Sequence, residues 1–218
     1  AYEIADRDWS SDVCSSDLMP RIEIEAVGYG YNHLSVPEQG GVQLRRGAKS
    51  SGPCEVNINC EEGDAWQNQK KGVCHTVQRI GTKSYICTGS LVNNTAQDLK
   101  PYVLTAMHCS TEKNTEASDE NMKQWVFYFH MEQSGCSTSS PAVGSKTLTG
   151  CKRMAYTLTN GQSDGLLLLL NTQVPENYNV YYNGWDRRNR PPRSGVCIHH
   201  PKGDYADQIG RASCRERV

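Results

Sequence analysis

Short apolar runs separated by clusters of Gly, Asn, Ser and Pro dominate the pattern of this chain. The runs are rich in β-branched and aromatic residues, a composition typical of strands. They predict strands at residues 73–80, 84–92, 102–106, 125–131, 152–158 and 166–170. Only residues 115–124 have a helix-like pattern, and that segment is brief. Closely spaced strands without alternating helices predict an all-β barrel or sandwich rather than βαβ units.

The two ends of the chain differ in origin from its middle. Residues 209–218 back-translate in frame into a common short-read sequencing adapter, and residues 8–18 back-translate into the opposite adapter. Two opposite adapters at the two correct ends are hard to obtain by chance. We therefore expect residues 1–18 and 208–218 to be adapter-derived, and we exclude them from the predicted fold. The remaining fragment, residues 19–207, is expected to be cut at both ends.

Charge and hydropathy disfavour two classes of partner. The chain carries 23 basic and 24 acidic residues, which gives a formal net charge of −1. A near-neutral chain offers no electrostatic case for nucleic acid or for an anionic membrane. The leucine run at residues 166–170 is too short to span a bilayer. We therefore expect neither nucleic acid nor a membrane as a partner.

The cysteines indicate disulfides. Ten are present, and two of them lie in the excluded ends. The others occur without CxxC pairs, which predicts disulfides in an oxidising compartment. A zinc site is the alternative, because His75 follows Cys74 and His108 precedes Cys109. Neighbouring residues on a strand point in different directions and seldom ligate one metal, so no metal site is predicted.

The most informative segment is residues 105–109, Thr-Ala-Met-His-Cys, at the end of a predicted buried strand. A second cue, Cys-Thr-Gly-Ser-Leu-Val at residues 87–92, precedes it. Together they indicate that His108 is held rigidly at a rim beside a disulfide, rather than being an ordinary core or surface histidine. The arrangement resembles the way in which chymotrypsin-like serine proteases present their general base.

Several further strings, in the same order along the chain, resemble the bacterial lysyl endopeptidase family. The resemblance covers residues 51–205 and is carried by residues 54–60, 62–64, 88–95, 184–188 and 198–201. It implies an all-β fold, a chymotrypsin-like double β-barrel that is truncated here. The first barrel would be complete at residues 51–171, and the second would only begin at residues 172–207. The resemblance also implies secretion and a monomer when the enzyme is complete.

Residues 19–50 precede the predicted barrel. Residues 21–27 alternate like a strand, and the Gly-rich stretches after them are typical of a linker. Because the family is made with a pro-region, this segment resembles the tail of one. An ordinary leading strand and loop is the alternative.

The resemblance also implies disulfide partners. Cys87 would pair with Cys109, and Cys60 would pair with Cys136. In the family, Cys54 pairs with a cysteine near the far end of the enzyme, in a segment that is not part of this sequence. The remaining cysteines are additional to the family pattern, and their pairing stays open: Cys74, Cys151 and Cys197.

Peptide hydrolysis by this route requires a base, a carboxylate that orients it, and a nucleophile. His108 is the expected base. Asp164 is the expected carboxylate, because the family has Ser-Asp followed by apolar residues at the matching place. An aspartate that only starts a turn before a strand is the alternative. Asp186 competes for the role, but the arginines beside it favour a structural salt bridge.

The nucleophile is not expected in this chain. The family places it in Gly-x-Ser-Gly-Ser-Pro, and residues 19–207 contain no Gly-x-Ser-Gly string. The chain as given is therefore predicted to be inactive. Residues 161–165 match the Gly-x-Ser-x-Gly elbow of α/β-hydrolases, which would make Ser163 a nucleophile. That elbow requires a strand before it and a helix after it, whereas residues 156–159 are only weakly strand-like and the leucine run that follows is too short for a typical helix.

The function predicted from the sequence is that of a secreted serine endopeptidase, which cleaves polypeptides through an acyl-enzyme. A preference for lysine is implied only by the resemblance, and no metal or organic cofactor is implied. The alternative is a disulfide-bonded binding or adhesion module that has kept the protease fold and lost its catalysis.

Overall fold

A computed structural model describes residues 56–113, 115–137, 140–158, 163–186 and 194–201, together with the backbone of residues 208–213. The predicted N-terminal adapter segment, the predicted pro-region tail and Cys54 lie outside the described residues. The boundaries proposed for these segments remain predictions.

Strands make up most of the regular structure in the described chain. They are β1 Val56–Asn57, β2 Val73–Ile80, β3 Lys83–Val92, β4 Tyr102–Ala106, β5 Thr111–Glu112, β6 Thr115–Glu116, β7 Val126–Phe129, β8 Lys146–Thr149, β9 Cys151–Tyr156, β10 Gly165–Leu170, β11 Ser194–His199 and β12 Gln208–Ser213. One helical turn, α1, spans Asp119–Met122 and is capped by the Ser118 side chain. Short 3-10 turns lie at Glu61–Trp66, Gln69–Gly72, Met107–Ser110 and Glu176–Tyr178.

Each strand predicted from the apolar runs is present. β2 and β4 have the predicted bounds, β3 and β10 begin one residue earlier, and β7 and β9 differ from the prediction by one or two residues at each end. β8 was not predicted, because its sequence Lys-Thr-Leu-Thr has a single apolar residue. The helix-like stretch at residues 115–124 divides into β6 and α1. Among the described residues, no helix is long and apolar enough to cross a membrane.

The central feature is an antiparallel seven-stranded sheet with the order β8-β7-β2-β3-β4-β10-β9. Its two edge strands, β8 and β9, are consecutive in the chain, and Gly150 alone separates them. The sheet therefore curls round until its edges meet at one residue. A separate sheet pairs β11 with β12 and β12 with β1. The predicted all-β class is confirmed, and β12 lies within residues 208–218, which were expected to be adapter-derived.

Gly150 closes the barrel through its backbone. Its N–H donates to the Trp125 carbonyl at 2.8 Å, and its own carbonyl accepts from the Asn171 N–H at 3.0 Å. The φ angle of Gly150 is +85°, a conformation that favours glycine. This one residue therefore connects the region before β7 with the end of β10, on opposite sides of the seam.

The core of the barrel follows from strand alternation. The chain has two phenylalanines, Phe127 and Phe129, and both lie on the inner face of β7 with no exposed surface. In the leucine run of β10, alternate residues are buried and the ones between them face outward. Each fully buried large apolar side chain contributes about 1.5–3 kcal/mol. The remaining buried apolar residues around them include Leu91, Val103 and Trp125.

A buried polar cluster joins the segment after β1 to the segment after β7. Lys70 Nζ lies 2.6 Å from Glu132 Oε2 and donates to Asn59 Oδ1 at 2.7 Å. Burial alone would raise the pKa of Glu132, but hydrogen bonds from His130 and Lys70 lower it to about 2. The Cys60–Cys136 disulfide joins the same two segments covalently.

A second buried site lies where the end of β11 meets the outer face of β2. The His75 ring is 5% exposed and packs edge-on against the rings of His200, at 5.4 Å, and Tyr128, at 5.9 Å between centroids. The backbone N–H of His200 donates to Thr88 Oγ1 at 3.0 Å, and Thr88 is the cross-strand neighbour of His75. Burial, with the neighbouring His200, lowers the pKa of His75 from 6.5 to about 4.

We expect Gly150→Ala to lower the free energy of unfolding by about 2 kcal/mol, because it combines a strained φ with a steric clash. An added Cβ would lie 2.5 Å from Asn171 Nδ2 and 3.1 Å from the Lys123 carbonyl. Urea unfolding would measure the loss. Gly144→Ala is the matched control, because nothing lies within 4 Å of its Cβ position. Equal stabilities of the two variants would contradict the closure role of Gly150.

We expect stability to fall as the pH drops from 6.5 to about 4, because the unfolded chain protonates His75 in this window and the folded chain does not. Below about 4 both states carry the proton, so this contribution is fully lost. His75→Phe should flatten the dependence, which urea unfolding at several pH values would measure. An unchanged pH dependence in His75→Phe would contradict the assignment.

Candidate active site

His108 lies in the 3-10 turn Met107–Ser110, which begins directly after β4. The hydroxyl of Ser110 donates to the Met107 carbonyl at 2.9 Å and closes this turn. The Cys87–Cys109 disulfide attaches the turn to β3. As a result, the imidazole is held at the rim of the sheet, with 65% of its side chain exposed.

Asp164 immediately precedes β10, and the pairing of β10 with β4 brings it to His108. In that register Gly165 lies opposite Ala106, so the residue before β10 faces the residues after β4. The Met107 N–H donates to the Asp164 carbonyl at 3.0 Å. The His108 N–H donates to Asp164 Oδ1 at 2.9 Å, and His108 Nδ1 lies 2.6 Å from Asp164 Oδ2.

These contacts define the electrostatics of the pair. The hydrogen bond with the His108 side chain, the largest cause, lowers the pKa of Asp164, and the bond from the His108 backbone adds to it. An ionised carboxylate only accepts hydrogen bonds, so Nδ1 carries the proton that it donates to Oδ2. Nε2 then has a lone pair that can accept a proton. The pair can therefore act as an oriented general base.

A carboxylate that comes just before a buried strand is expected to be desolvated against the imidazole, and in this respect the structure differs. The Asp164 side chain is 32% exposed, and that of His108 is 65% exposed. The reason is the position of both residues at the rim, beyond the last pairs of β4 and β10. Within the described residues, the barrel orients the pair but does not cover it.

The structure joins the cysteines as the resemblance implied: Cys87 with Cys109, and Cys60 with Cys136. Ligand atoms of Cys87, His108 and Cys109 lie within 4.8 Å of one another, which is suitable spacing for a metal. The two sulfurs are bonded to each other, however, and zinc binds the thiolate form. This group therefore does not fit a zinc ion.

The additional cysteines lie in different environments. Cys74 is buried, and its thiol donates to the Gly89 carbonyl at 3.5 Å. Burial raises the pKa of the Cys151 thiol to about 12, so it is a poor nucleophile. Cys197 is exposed on β11. None of these three forms a disulfide among the described residues.

Neither of the rival residues named from the sequence, Ser163 and Asp186, lies in the surroundings that its suggested role requires. Ser163 is followed by β10, a strand, whereas a nucleophile elbow requires a helix there. Its hydroxyl lies 3.0 Å from Thr157 Oγ1. Asp186 is an exposed residue that follows Trp185, whose indole N–H donates to the Asn93 carbonyl at 2.9 Å. Asp164 is the carboxylate that contacts His108.

Two parts of the site could not be found from the sequence. The backbone N–H groups of Met107 and His108 both bind Asp164, and backbone contacts leave no signal in a residue pattern. The Thr157 hydroxyl, which accepts a hydrogen bond from the Gly165 N–H at 2.7 Å, lies at the end of another strand. Only the pairing of β9 with β10 brings it to the residues that flank Asp164.

Comparison with known proteins identifies a family that this chain resembles over most of its length. Residues 48–214 match the family model described as lysyl endopeptidase, C-terminal domain. A lysyl endopeptidase of Pseudomonas aeruginosa is 28% identical over 166 residues, which are 73% of this chain and 34% of that protein. The chain thus spans about a third of the length of that curated relative.

Two solved structures have partial similarity. The structure of GrC is 15% identical and covers 74% of this chain and 65% of its own, with a TM-score of 0.48. The protease Anisep from Arthrobacter nicotinovorans is 17% identical and covers 67% of this chain and 65% of its own, also with a TM-score of 0.48.

We expect Asp164→Asn to reverse the tautomer of His108, because an amide can donate a proton towards Nδ1 where the carboxylate could only accept one. Nitrogen chemical shifts of the imidazole, measured by NMR, would report the change. Asp98→Asn is the matched control, since Asp98 is a hydrogen-bonded carboxylate that contacts Asn94 and Lys100 instead. An unchanged tautomer in Asp164→Asn would contradict the orienting contact.

Proposed function

Because this chain belongs to the lysyl endopeptidase family, a family of proteases, we propose that it carries the base and the orienting carboxylate of a serine endopeptidase. His108 is the base and Asp164 is the carboxylate. The observation that supports this assignment best is the pair of contacts made by one carboxylate. Asp164 accepts from the His108 backbone through Oδ1 and from the imidazole through Oδ2.

In the proposed reaction, Nε2 of His108 accepts the proton of a serine hydroxyl while the serine oxygen attacks the peptide carbonyl carbon. The C–N bond then breaks, and the same proton passes to the leaving amine, which leaves an acyl-enzyme. Water then attacks the acyl carbon while Nε2 accepts its proton. The ester C–O bond breaks, and the proton passes to the serine oxygen, which regenerates the hydroxyl. Asp164 remains ionised throughout and stabilises the imidazolium that forms in each step.

The serine itself lies outside this sequence. Residues 19–207 contain no Gly-x-Ser-Gly string, and the nearest match, residues 192–195, has Pro where Gly is required. We propose that the chain as given hydrolyses nothing, and that the oxyanion-hole amides and the specificity pocket belong to the same separate segment. Cleavage after lysine is proposed from the name of the Pseudomonas relative alone.

The proposed substrate is a polypeptide, and the reaction requires no metal or organic cofactor. Secretion is proposed because the described residues contain two disulfides, which persist in oxidising compartments. The complete enzyme is proposed to act as a monomer. A protease-like binding module without catalysis is the competing function, and the missing Gly-x-Ser-Gly string is the observation that favours it.

The decisive experiment begins by sequencing the source gene beyond the codon for residue 207. The complete product is then expressed and assayed on lysyl peptide substrates. We expect His108→Ala to lower kcat by about 10⁶-fold and Asp164→Asn to lower it by about 10⁴-fold, because the first removes the base and the second only its orienting partner. Asp98→Asn should keep full activity, since that carboxylate contacts Asn94 and Lys100 rather than His108.

The 218-residue chain itself should show no turnover and no labelling by an organophosphorus probe that reacts with activated serines. Labelling of this chain would contradict the absence of the nucleophile. A complete product that hydrolyses no peptide, or that contains no such serine, would replace the protease with the binding module.

A further inference from the structure

We propose that the hydroxyls of Thr157 and Ser163 are positioning groups, which hold the turn that directs the Asp164 carboxylate at His108. The inference rests on the proposed role of Asp164 as the orienting carboxylate. Neither hydroxyl contacts the imidazole, so both would act through Asp164. The two side chains lie within 3.0 Å of each other, on either side of a loop that connects β9 to β10.

The backbone of Asp164 requires such support. Its φ angle is +49°, in the left-handed region, which Asp adopts more readily than most residues but less readily than glycine. Conformations of this kind persist only where the surroundings determine them, and they cluster at functional sites. On one side the turn is fixed by the 3-10 turn that follows β4, because the Met107 N–H donates to the Asp164 carbonyl at 3.0 Å.

On the other side the turn is fixed by Thr157. The Gly165 N–H donates to Thr157 Oγ1 at 2.7 Å, and the Thr157 N–H donates to the Gly165 carbonyl at 2.8 Å. Gly165 and Thr157 thus continue the ladder between β9 and β10 with two hydrogen bonds. In one of them the acceptor is a side-chain oxygen. The residue immediately after Asp164 is therefore clamped by a single hydroxyl.

Ser163 completes the clamp from the residue immediately before Asp164. The Ser163 and Thr157 oxygens lie 3.0 Å apart, and either one can donate to the other. Gly165 allows the close approach, because a Cβ there would lie 3.3 Å from Thr157 Oγ1. One threonine hydroxyl therefore restrains both neighbours of Asp164, which limits the rotation of the carboxylate between them.

The alternative is that Thr157 is only a structural cap at the end of β9. The two interpretations differ in what the loss of the hydroxyl changes. Thr157 is uncharged, so its removal affects the ionisation of Asp164 only by moving the carboxylate away from His108. A structural cap would lower stability and leave the contact between Asp164 and His108 as it is.

The test measures this contact by NMR in the 218-residue chain. The hydrogen bond from His108, as the largest cause, lowers the pKa of Asp164, so misalignment should raise that pKa towards its ordinary value. We expect Thr157→Val to show this rise in a carboxyl ¹³C titration, together with loss of the low-field His108 Nδ1 proton signal. Thr157→Ser keeps the hydroxyl and should retain both.

Thr105→Val is the matched control, because it also removes one threonine hydroxyl, which donates to the Thr88 carbonyl at 2.8 Å. We expect it to lower stability without changing the Asp164 titration. If Thr157→Val fails to fold, Ser163→Ala decides, and it should shift the titration in the same direction by less. If Thr157→Val folds and leaves the Asp164 titration unchanged, the proposal is wrong. If it does not fold, an unchanged titration in Ser163→Ala has the same consequence.

Activity separates this inference from the proposed function. In the complete enzyme, Thr157→Val should lower kcat by about 100-fold with little change in KM, because misplacement of a reacting group mainly affects the transition state. Thr157→Ser should restore the rate. If the complete product is inactive while the NMR changes occur as expected, the proposed function fails and the positioning role remains.

Discussion

The register of β4 against β10 is the constraint on which the candidate site depends. With Gly165 opposite Ala106, the residue that precedes one strand faces the turn that follows the other. Three hydrogen bonds then connect Asp164 to Met107 and His108. A slip by one residue would move every side chain of a strand to the other face of the sheet. It would therefore break the core contacts of β10 and the contact between Asp164 and His108 together. The packing of the core thus fixes the register that forms the site.

The closure of the barrel maintains that register. β10 lies between β4 and β9, and β9 continues through Gly150 into β8 at the opposite edge of the sheet. The alternating leucines of β10 fill the same core as Phe127 and Phe129. Because the edges meet, neither outer strand of the sheet can shift along its neighbour without disturbing the seam. The Cys87–Cys109 disulfide adds a covalent restraint between β3 and the turn that holds His108.

The geometry of the pair is that of an oriented base at the edge of a barrel rather than in a closed cleft. The carboxylate is fixed by backbone groups and a left-handed turn, while much of the imidazole remains accessible. Such an arrangement can accept a proton from a group delivered from outside the barrel. In the proposed protease, the nucleophile and the oxyanion hole belong to a separate segment.

The sequence by itself determined the all-β class and six of the strands, and it indicated the two polar residues whose side chains the structure brings into contact. β-branched and aromatic runs located β2 and β4 to the residue, and the Ser-Asp string before a leucine run indicated Asp164. The short β8 and the roles of Gly150, Thr157 and the Met107 N–H could not be predicted. These depend on which strands become neighbours, and pairing between distant segments leaves no local pattern. Only the tertiary structure decided that Asp164 would be partly exposed, because exposure is set by the end of the sheet and not by the residue type.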